Sequence, residues 1–488
     1  MTGRPTRLTA LDAAFLHQEA GCGHMTVGGI ATFDGPPPTI EQFRAHTLKR
    51  LHLIPRYRQR LRNAPSARPV WIDDTHFDVA YHVRRAQLPE GGGLDALWDL
   101  NAEIHAHRLD RSRPLWELYL VEGLPDGEFA VIARNHHALM DGVSNIDVLG
   151  ALWDIEATEG PTPRDGDEDW VAEREPSELD VLGMGFREAA QATTGLIGGA
   201  LGAVRDPGGT LARLRRGAEG VGEVVKAVQT PAPRTPFNKT IGPGREFTTV
   251  RLDLNEIKHI KNTLGGTVND VMLDVVAGGI RELYLERGID PAGVELRPVV
   301  PVSIRTEAEQ GTLGNRVVTL RPALPIEIED PVERLRAISV ELDRCKSSTQ
   351  PTVVEVLEGV MNWIPAPALG PVARLTYHPR LFNVLISNIP GPQFPLYLIG
   401  RKAKTMYAGG FLAQYHGLAI AAVSYDGGLG FGLMCDPSVV PELGVVAAGI
   451  QDTFDDLKLA TERADGNGRP RDPSAARDRT AAAQKGNH

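Results

Sequence analysis

The sequence predicts an α/β protein of more than one domain, and three observations lead there. Its 488 residues exceed what one hydrophobic core usually supports. A hydrophobic content of 42% suffices to build several cores. Strand-like and helix-like runs then alternate through the second half, after a strand pair and a helix in the first. No internal repeat is visible.

Taken in order, Trp116–Val121 alternates like a strand and stops at the turn cluster Gly123-Leu124-Pro125-Asp126-Gly127. Phe129–Arg134 reads as a second strand, so the two form an antiparallel hairpin. Where that strand runs out stands Asn135-His136-His137-Ala138-Leu139-Met140-Asp141-Gly142. Beyond it, Val143, Ile146, Leu149, Leu152 and Trp153 suit one face of a helix. A strand-to-helix corner lets rigid elements hold a side chain that reaches into a cleft. Histidine takes and returns a proton near neutral pH, and a carboxylate four residues on can orient the ring or brace the loop. Adjacent residues at a strand end point to opposite sides, so one of His136 and His137 faces the cleft and the other packs. The plain structural alternative is that Asp141 caps the next helix and the histidines close a strand.

Further along, 160–169 is acidic and rich in Pro and Gly, as an exposed linker is. The stretch 182–228 sets Leu211, Leu214, Val221, Val224 and Val225 against Arg213, Arg215 and Arg216. It reads either as a connecting helix pair or as an amphipathic segment touching a membrane or lipid droplet. Thr267–Asp270 fits a capping box, and Val268, Val271, Met272, Val275, Val276, Ile280, Leu283 and Tyr284 repeat at helical spacing behind it. Strands are expected at Val294–Ile304, Phe382–Ile386, Leu418–Ser424 and Leu429–Met434, with Tyr425-Asp426-Gly427 as a hairpin turn and Asn388-Ile389-Pro390-Gly391 as a rigid one. The boundaries drawn are 1–156, a linker with a helical segment over 157–244, a second half over 245–463, and a polar, disordered tail over 464–488.

Other chemistries find little footing. The chain holds no GxSxG elbow, HExxH helix or GxxxxGK[ST] loop. His105 and His107 show no recognised metal spacing beside the histidine pair, so no metal is expected. A net charge of -10 argues against nucleic-acid binding. Three widely spaced cysteines suggest a reducing compartment. Met1–Leu11 lacks an apolar signal core and no uninterrupted apolar run could span a bilayer, so a cytoplasmic, at most peripheral protein is expected.

These motifs together resemble the bacterial wax ester synthase/acyl-CoA:diacylglycerol acyltransferase family, in the coenzyme A-dependent acyltransferase superfamily with its HHxxxDG signature. Leu11–Leu16 is similar to the family's opening and Pro114-Leu115-Trp116-Glu117 to its PLWE segment. Thr267-Val268-Asn269-Asp270 resembles its ND motif, Pro301-Val302-Ser303-Ile304-Arg305 its PVSxR, and Ser387–Pro392 its SNxPGP turn. The resemblance implies two chloramphenicol-acetyltransferase-like halves, mixed sheet with helices, and a tunnel between them. It implies an O-acyltransferase moving a fatty acyl group from acyl-CoA to diacylglycerol or a long-chain alcohol. His137 would be the general base, with His136 and Asp141 completing the catalytic corner and Arg305 a candidate partner for Asp141. Gly142, Asn269 and Asp270 would bind substrate. Acyl-CoA is then a substrate and no cofactor is needed. Its phosphates call for a basic patch, for which Arg401, Lys402 and Lys404 are candidates, with a solvated loop as the alternative. Peripheral contact with the inner membrane or lipid droplets follows from a lipid acceptor. In the same fold, an enzyme acting on polyketide or peptide intermediates is the alternative function, and a catalytically silent lipid-binding protein is another.

Overall fold

The computed structural model describes residues 6–19, 21–64, 67–140, 150–158, 170–181, 183, 231–303, 317–347, 369–370, 373 and 378–468. Asp141, Gly142, Arg305, nearly all of 182–228, and 469–488 lie outside them. In the first half the chain runs through β1 (Thr6–Arg7), α1 (Ala10–Gln18), β2 (Thr26–Phe33), α2 (Ile40–Arg50), β3 (Gln59–Ala64) and β4 (Ala67–Asp73). It continues with α3 (Val79–His82), β5 (Val83–Gln87), α4 (Gly93–Ala106), β6 (Trp116–Glu122) and β7 (Phe129–His136). The second half begins with β8 (Glu246–Asp253), α5 (Leu254–Leu264), α6 (Val268–Glu286), β9 (Glu295–Leu296), β10 (Pro298–Ser303), β11 (Val317–Leu320) and β12 (Leu324–Pro325). After these come α7 (Pro331–Ser347), β13 (Val384–Ile389), β14 (Tyr397–Leu398), β15 (Arg401–Gly409), β16 (Leu418–Tyr425), β17 (Gly428–Cys435) and α8 (Leu443–Gly468).

Two six-stranded mixed sheets organise the molecule, in the orders β14-β15-β2-β7-β6-β5 and β11-β10-β13-β16-β17-β8. The first contains the expected hairpin, β6 antiparallel to β7 with Trp116 opposite Asn135. The second contains β16 and β17, joined through Asp426 and Gly427, both at positive φ, the conformation a two-residue hairpin turn requires. The inner strands are buried on both faces, β17 along its whole length, which is why they read as apolar runs more than as alternations.

The boundary expected at 245 does not separate the sheets. Strand β15, far along the second half, pairs antiparallel with β2, placing Tyr407 opposite Ile30 and Gly409 opposite Gly28. Residues 397–409 thus complete the first sheet, and the two halves share backbone hydrogen bonds. No local pattern marks a strand that crosses between sheets. Two smaller corrections concern element ends. Asn388, expected in a turn, lies inside β13 opposite Ala422, and the turn starts at Pro390. Residues 464–468, expected in the tail, continue α8.

Helix α6 forms as its sequence dictates. Thr267 and Asp270 make the reciprocal capping box, and Val271, Met272, Val275, Val276, Ile280 and Leu283 are fully buried. Its other face is buried as well: Asp274 meets Arg334 of α7 at 2.7 Å, and Gly278 and Gly279 let α8 approach.

Candidate active site

The histidine corner is built from the PLWE strand upward. Trp116 is wholly buried, donates its indole N–H to Tyr57 O at 2.7 Å and stacks between Tyr57 and His82. Tyr57 in turn donates its hydroxyl to Asn135 Oδ1 at 2.6 Å. Glu117 is buried against Arg134 at 2.6 Å, with Tyr119 donating to the same carboxylate. Leu115 O accepts the His136 N–H at 2.9 Å. Leu115 and Trp116 therefore support the corner from within the core.

At the strand end the two histidines diverge. His136 is 1% exposed and packs inward. Its Nδ1 accepts the Ala138 N–H at 3.0 Å, which leaves a ring proton to Nε2, and Nε2 lies 3.3 Å from Glu19 Oε1, within ion-pair distance but without hydrogen-bond geometry. Glu19, which the sequence reading passed over, sits at the end of α1 with its side chain 2% exposed. Its Oε1 accepts the Met25 N–H at 3.0 Å and its Oε2 accepts from Arg111 at 2.6 Å. Burial alone would raise the Glu19 carboxyl, but the contact with His136 and the charge of Arg111 outweigh it and hold the group at about 2. Nothing local marked Glu19, because its charged and ring partners Arg111 and His136 stand more than ninety residues away.

His137 points the other way and is half-buried. Its backbone N–H donates to Met25 O at 2.7 Å, and its ring stacks on Phe15 of α1 at 3.9 Å. Phe411 meets the ring edge-on at 5.8 Å. Among the described residues its Nδ1 has no hydrogen-bond partner. Burial among these apolar rings, with His136 alongside, lowers its pKa to about 4, the residue's own carbonyl pulling slightly the other way. The ring is thus neutral at physiological pH and able to accept a proton.

Residues 151–154, beyond the motif, are held too. His46 of α2 meets Leu152 O at 2.7 Å, and Arg50 binds Asp154 at 2.6 Å and Ala151 O at 3.3 Å. Helices α1 and α2 therefore grip the chain before and after the motif.

A second group joins the ND and SNxPGP segments. Asn388 Nδ2 donates to Asn269 Oδ1 at 3.3 Å, while Asn269 Nδ2 is buried without a partner among the described residues. Asp270, expected to bind substrate, has both oxygens engaged by Thr267, through its N–H at 3.0 Å and its hydroxyl at 2.7 Å. It fastens the helix start beside Asn269, since a carboxylate so engaged offers little to a ligand. The basic candidates are likewise committed. Arg401 donates to Pro36 O at 3.0 Å, Lys402 pairs with Asp426 at 3.0 Å, and Lys404 pairs with Glu128. Cys22, Cys345 and Cys435 are free thiols. Among the described residues no helix is long and apolar enough to cross a membrane.

Comparison with known proteins bears on this arrangement. Residues 8–272 match the wax ester synthase/diacylglycerol acyltransferase catalytic domain and 313–458 the WS/DGAT C-terminal domain. The chain is 32% identical over 468 residues to the probable diacylglycerol O-acyltransferase tgs1 of Mycobacterium tuberculosis (strain CDC 1551 / Oshkosh), covering 93% of this chain and 96% of that protein. The wax ester synthase/diacylglycerol acyltransferase from Marinobacter aquaeolei VT8 superposes with a TM-score of 0.66 at 25% identity, over 94% of this chain and 100% of that one. The fold alone is shared with the trichothecene 15-O-acetyltransferase TRI3 from Fusarium sporotrichioides, with a TM-score of 0.56 at 12% identity over 94% and 96% of the two chains. With both domain models matched in order and the histidine corner intact, the chain belongs to the wax ester synthase/diacylglycerol acyltransferase family.

Proposed function

We propose that this protein transfers a fatty acyl group from acyl-CoA to a lipid hydroxyl, of diacylglycerol or of a long-chain alcohol, with His137 as general base. The observation that carries this reading is the neutral His137 ring at the end of β7, held against Phe15 and Phe411 with His136 turned away. Apolar rings around a base exclude water, which would compete as an acceptor and hydrolyse the thioester. The ring takes the hydroxyl proton as the acceptor oxygen attacks the thioester carbonyl carbon. The tetrahedral oxyanion collapses, the C–S bond breaks, and the coenzyme A thiolate recovers the proton from the imidazolium. No acyl-enzyme is needed, in keeping with a corner that presents a base and a sequence that lacks a GxSxG elbow.

Asn269 belongs to the substrate side of this reading, because a buried amide nitrogen without a protein partner suits a ligand oxygen. Asp141 and Gly142 complete the motif and are assigned the loop and substrate roles that the family signature implies. A lipid acceptor also requires peripheral contact with the membrane or lipid droplets, and deletion of 182–228 tests that segment's part through membrane sedimentation.

The deciding assay follows thiol release from palmitoyl-CoA with diacylglycerol or hexadecanol offered separately. Acceptor-dependent release that disappears in His137→Ala is expected, the loss being about 10²–10⁴-fold for removal of a general base. Equal turnover in a folded His137→Ala protein would overturn the assignment.

A further inference from the structure

We propose that Glu19 is a positioning residue for acyl transfer: it holds His136 as the Nε2–H tautomer, so that Nδ1 fixes the turn carrying His137. The inference rests on His137 being the base. Its ground is a chain of contacts that nothing else in the corner explains. Glu19 Oε1 faces His136 Nε2 at 3.3 Å, and the opposite ring nitrogen accepts the Ala138 N–H at 3.0 Å. Ala138 is the second residue of the turn His137–Met140. In the other tautomer Nδ1 would carry a proton and confront that N–H donor to donor, and the turn would open. A buried carboxylate beside one ring nitrogen selects which nitrogen keeps its proton, the device by which histidine orientation is commonly set.

The same helix supplies the second constraint. Phe15 lies one helical turn before Glu19 on α1 and stacks on His137 at 3.9 Å. The helix thus addresses both histidines from one face, Phe15 setting the plane of the base and Glu19 setting its backbone turn. Met25 joins them: its N–H binds Glu19 Oε1 and its carbonyl accepts the His137 N–H. The bland alternative is a tether, with Glu19 serving only to tie α1 to Arg111, whose guanidinium also donates to Leu16 O at 2.8 Å. The two ideas differ in what Arg111 does, because Arg111 shares the carboxylate but not the histidine.

The experiment compares Glu19→Ala, Glu19→Gln and Arg111→Ala in the full chain, by steady-state kinetics with palmitoyl-CoA and by ¹⁵N-histidine spectra that report tautomers. Glu19→Ala is expected to lower kcat about 10- to 100-fold, with KM for palmitoyl-CoA within about threefold, as for misplacement of a reacting group. In its spectrum His136 should populate the Nδ1–H form. Glu19→Gln keeps an oxygen acceptor for Nε2–H and should restore kcat to within about fivefold of wild type. Arg111→Ala should lower thermal stability and leave kcat within about threefold. The proposal is overturned by a folded Glu19→Ala protein with wild-type kcat, by an Arg111→Ala loss as deep as that of Glu19→Ala, or by an Nδ1–H His136 in the wild-type spectrum. The last measurement stands even where Glu19→Ala does not fold. Turnover surviving His137→Ala would instead defeat the assigned base, and the tautomer spectra would still decide what Glu19 does.

Discussion

At the scale of single residues, the proposed chemistry depends on keeping His137 uncharged. A base works only in its unprotonated form, and burial holds this one near 4, well below the ordinary imidazole range. Lowering the pH therefore leaves the base neutral until about pH 5, and only below that does the proton occupy it. The expected profile of kcat/KM is flat from pH 8 to about 5 and falls below, with no inflection near 6.5. Rapid pH-jump assays, with activity recovered on return to pH 7, separate this limb from unfolding. A half-maximal rate near 6.5 would show a base in open water. The identity of this residue was legible in the sequence, because the histidine pair, the strand before it and the Asp-Gly after it are contiguous. Glu19, which lies against the neighbouring His136, was not, since an acidic residue at a helix end gives no sign of what a distant strand will bring to it.

At the scale of elements, α6 shows how far periodicity reaches. Its apolar spacing and capping box announced a helix from Val268, and Thr267 and Asp270 cap it as read. Thr267→Ala should cost about 1 kcal/mol by leaving helix-start N–H groups without their acceptor, as denaturant titration would show. What spacing could not announce is the close approach of α8. A methyl group at Gly279 would stand 2.5 Å from Val446 O and 2.9 Å from the Ile450 side chain. Gly279→Ala is accordingly expected to destabilise by about 1–3 kcal/mol, although alanine favours an isolated helix. A more stable variant would mean that the two helices can separate at no cost. The same neighbourhood holds Asp274 and Arg334, a buried pair that meets at 2.7 Å. Removing Asp274 alone should cost about 3–5 kcal/mol, for Arg334 is left charged without its carboxylate.

At the scale of the whole molecule, β15 lying beside β2 ties the halves together. Unfolding the second half strips a strand from the first sheet, so calorimetry should give one cooperative transition where two separable domains would give two. Acid should weaken the fold steeply. His24, His105, His137 and His416 are all held near 4 by burial, against about 6.5 in the unfolded chain. As pH falls from 6.5 towards 4 the unfolded state binds protons that the folded state refuses, and stability is lost. Each such proton contributes about 1.4 kcal/mol per pH unit. Below about 4.5 the depressed Glu19 carboxyl adds its own loss until about pH 2. A melting temperature unchanged between pH 7 and 5 would show that these rings are hydrated.

The sequence by itself determined the α/β character, the hairpin, the capped helix and the histidine corner, because each is written in neighbouring residues whose spacing alone fixes geometry. Only the tertiary structure decided that Glu19 faces His136, that both Asp270 oxygens bind Thr267, that Lys402 and Lys404 meet Asp426 and Glu128, and that the halves share a sheet. Those outcomes depend on which distant segments meet. Burial and hydrogen bonding settle that for the chain as a whole, through contacts between residues that no local pattern connects.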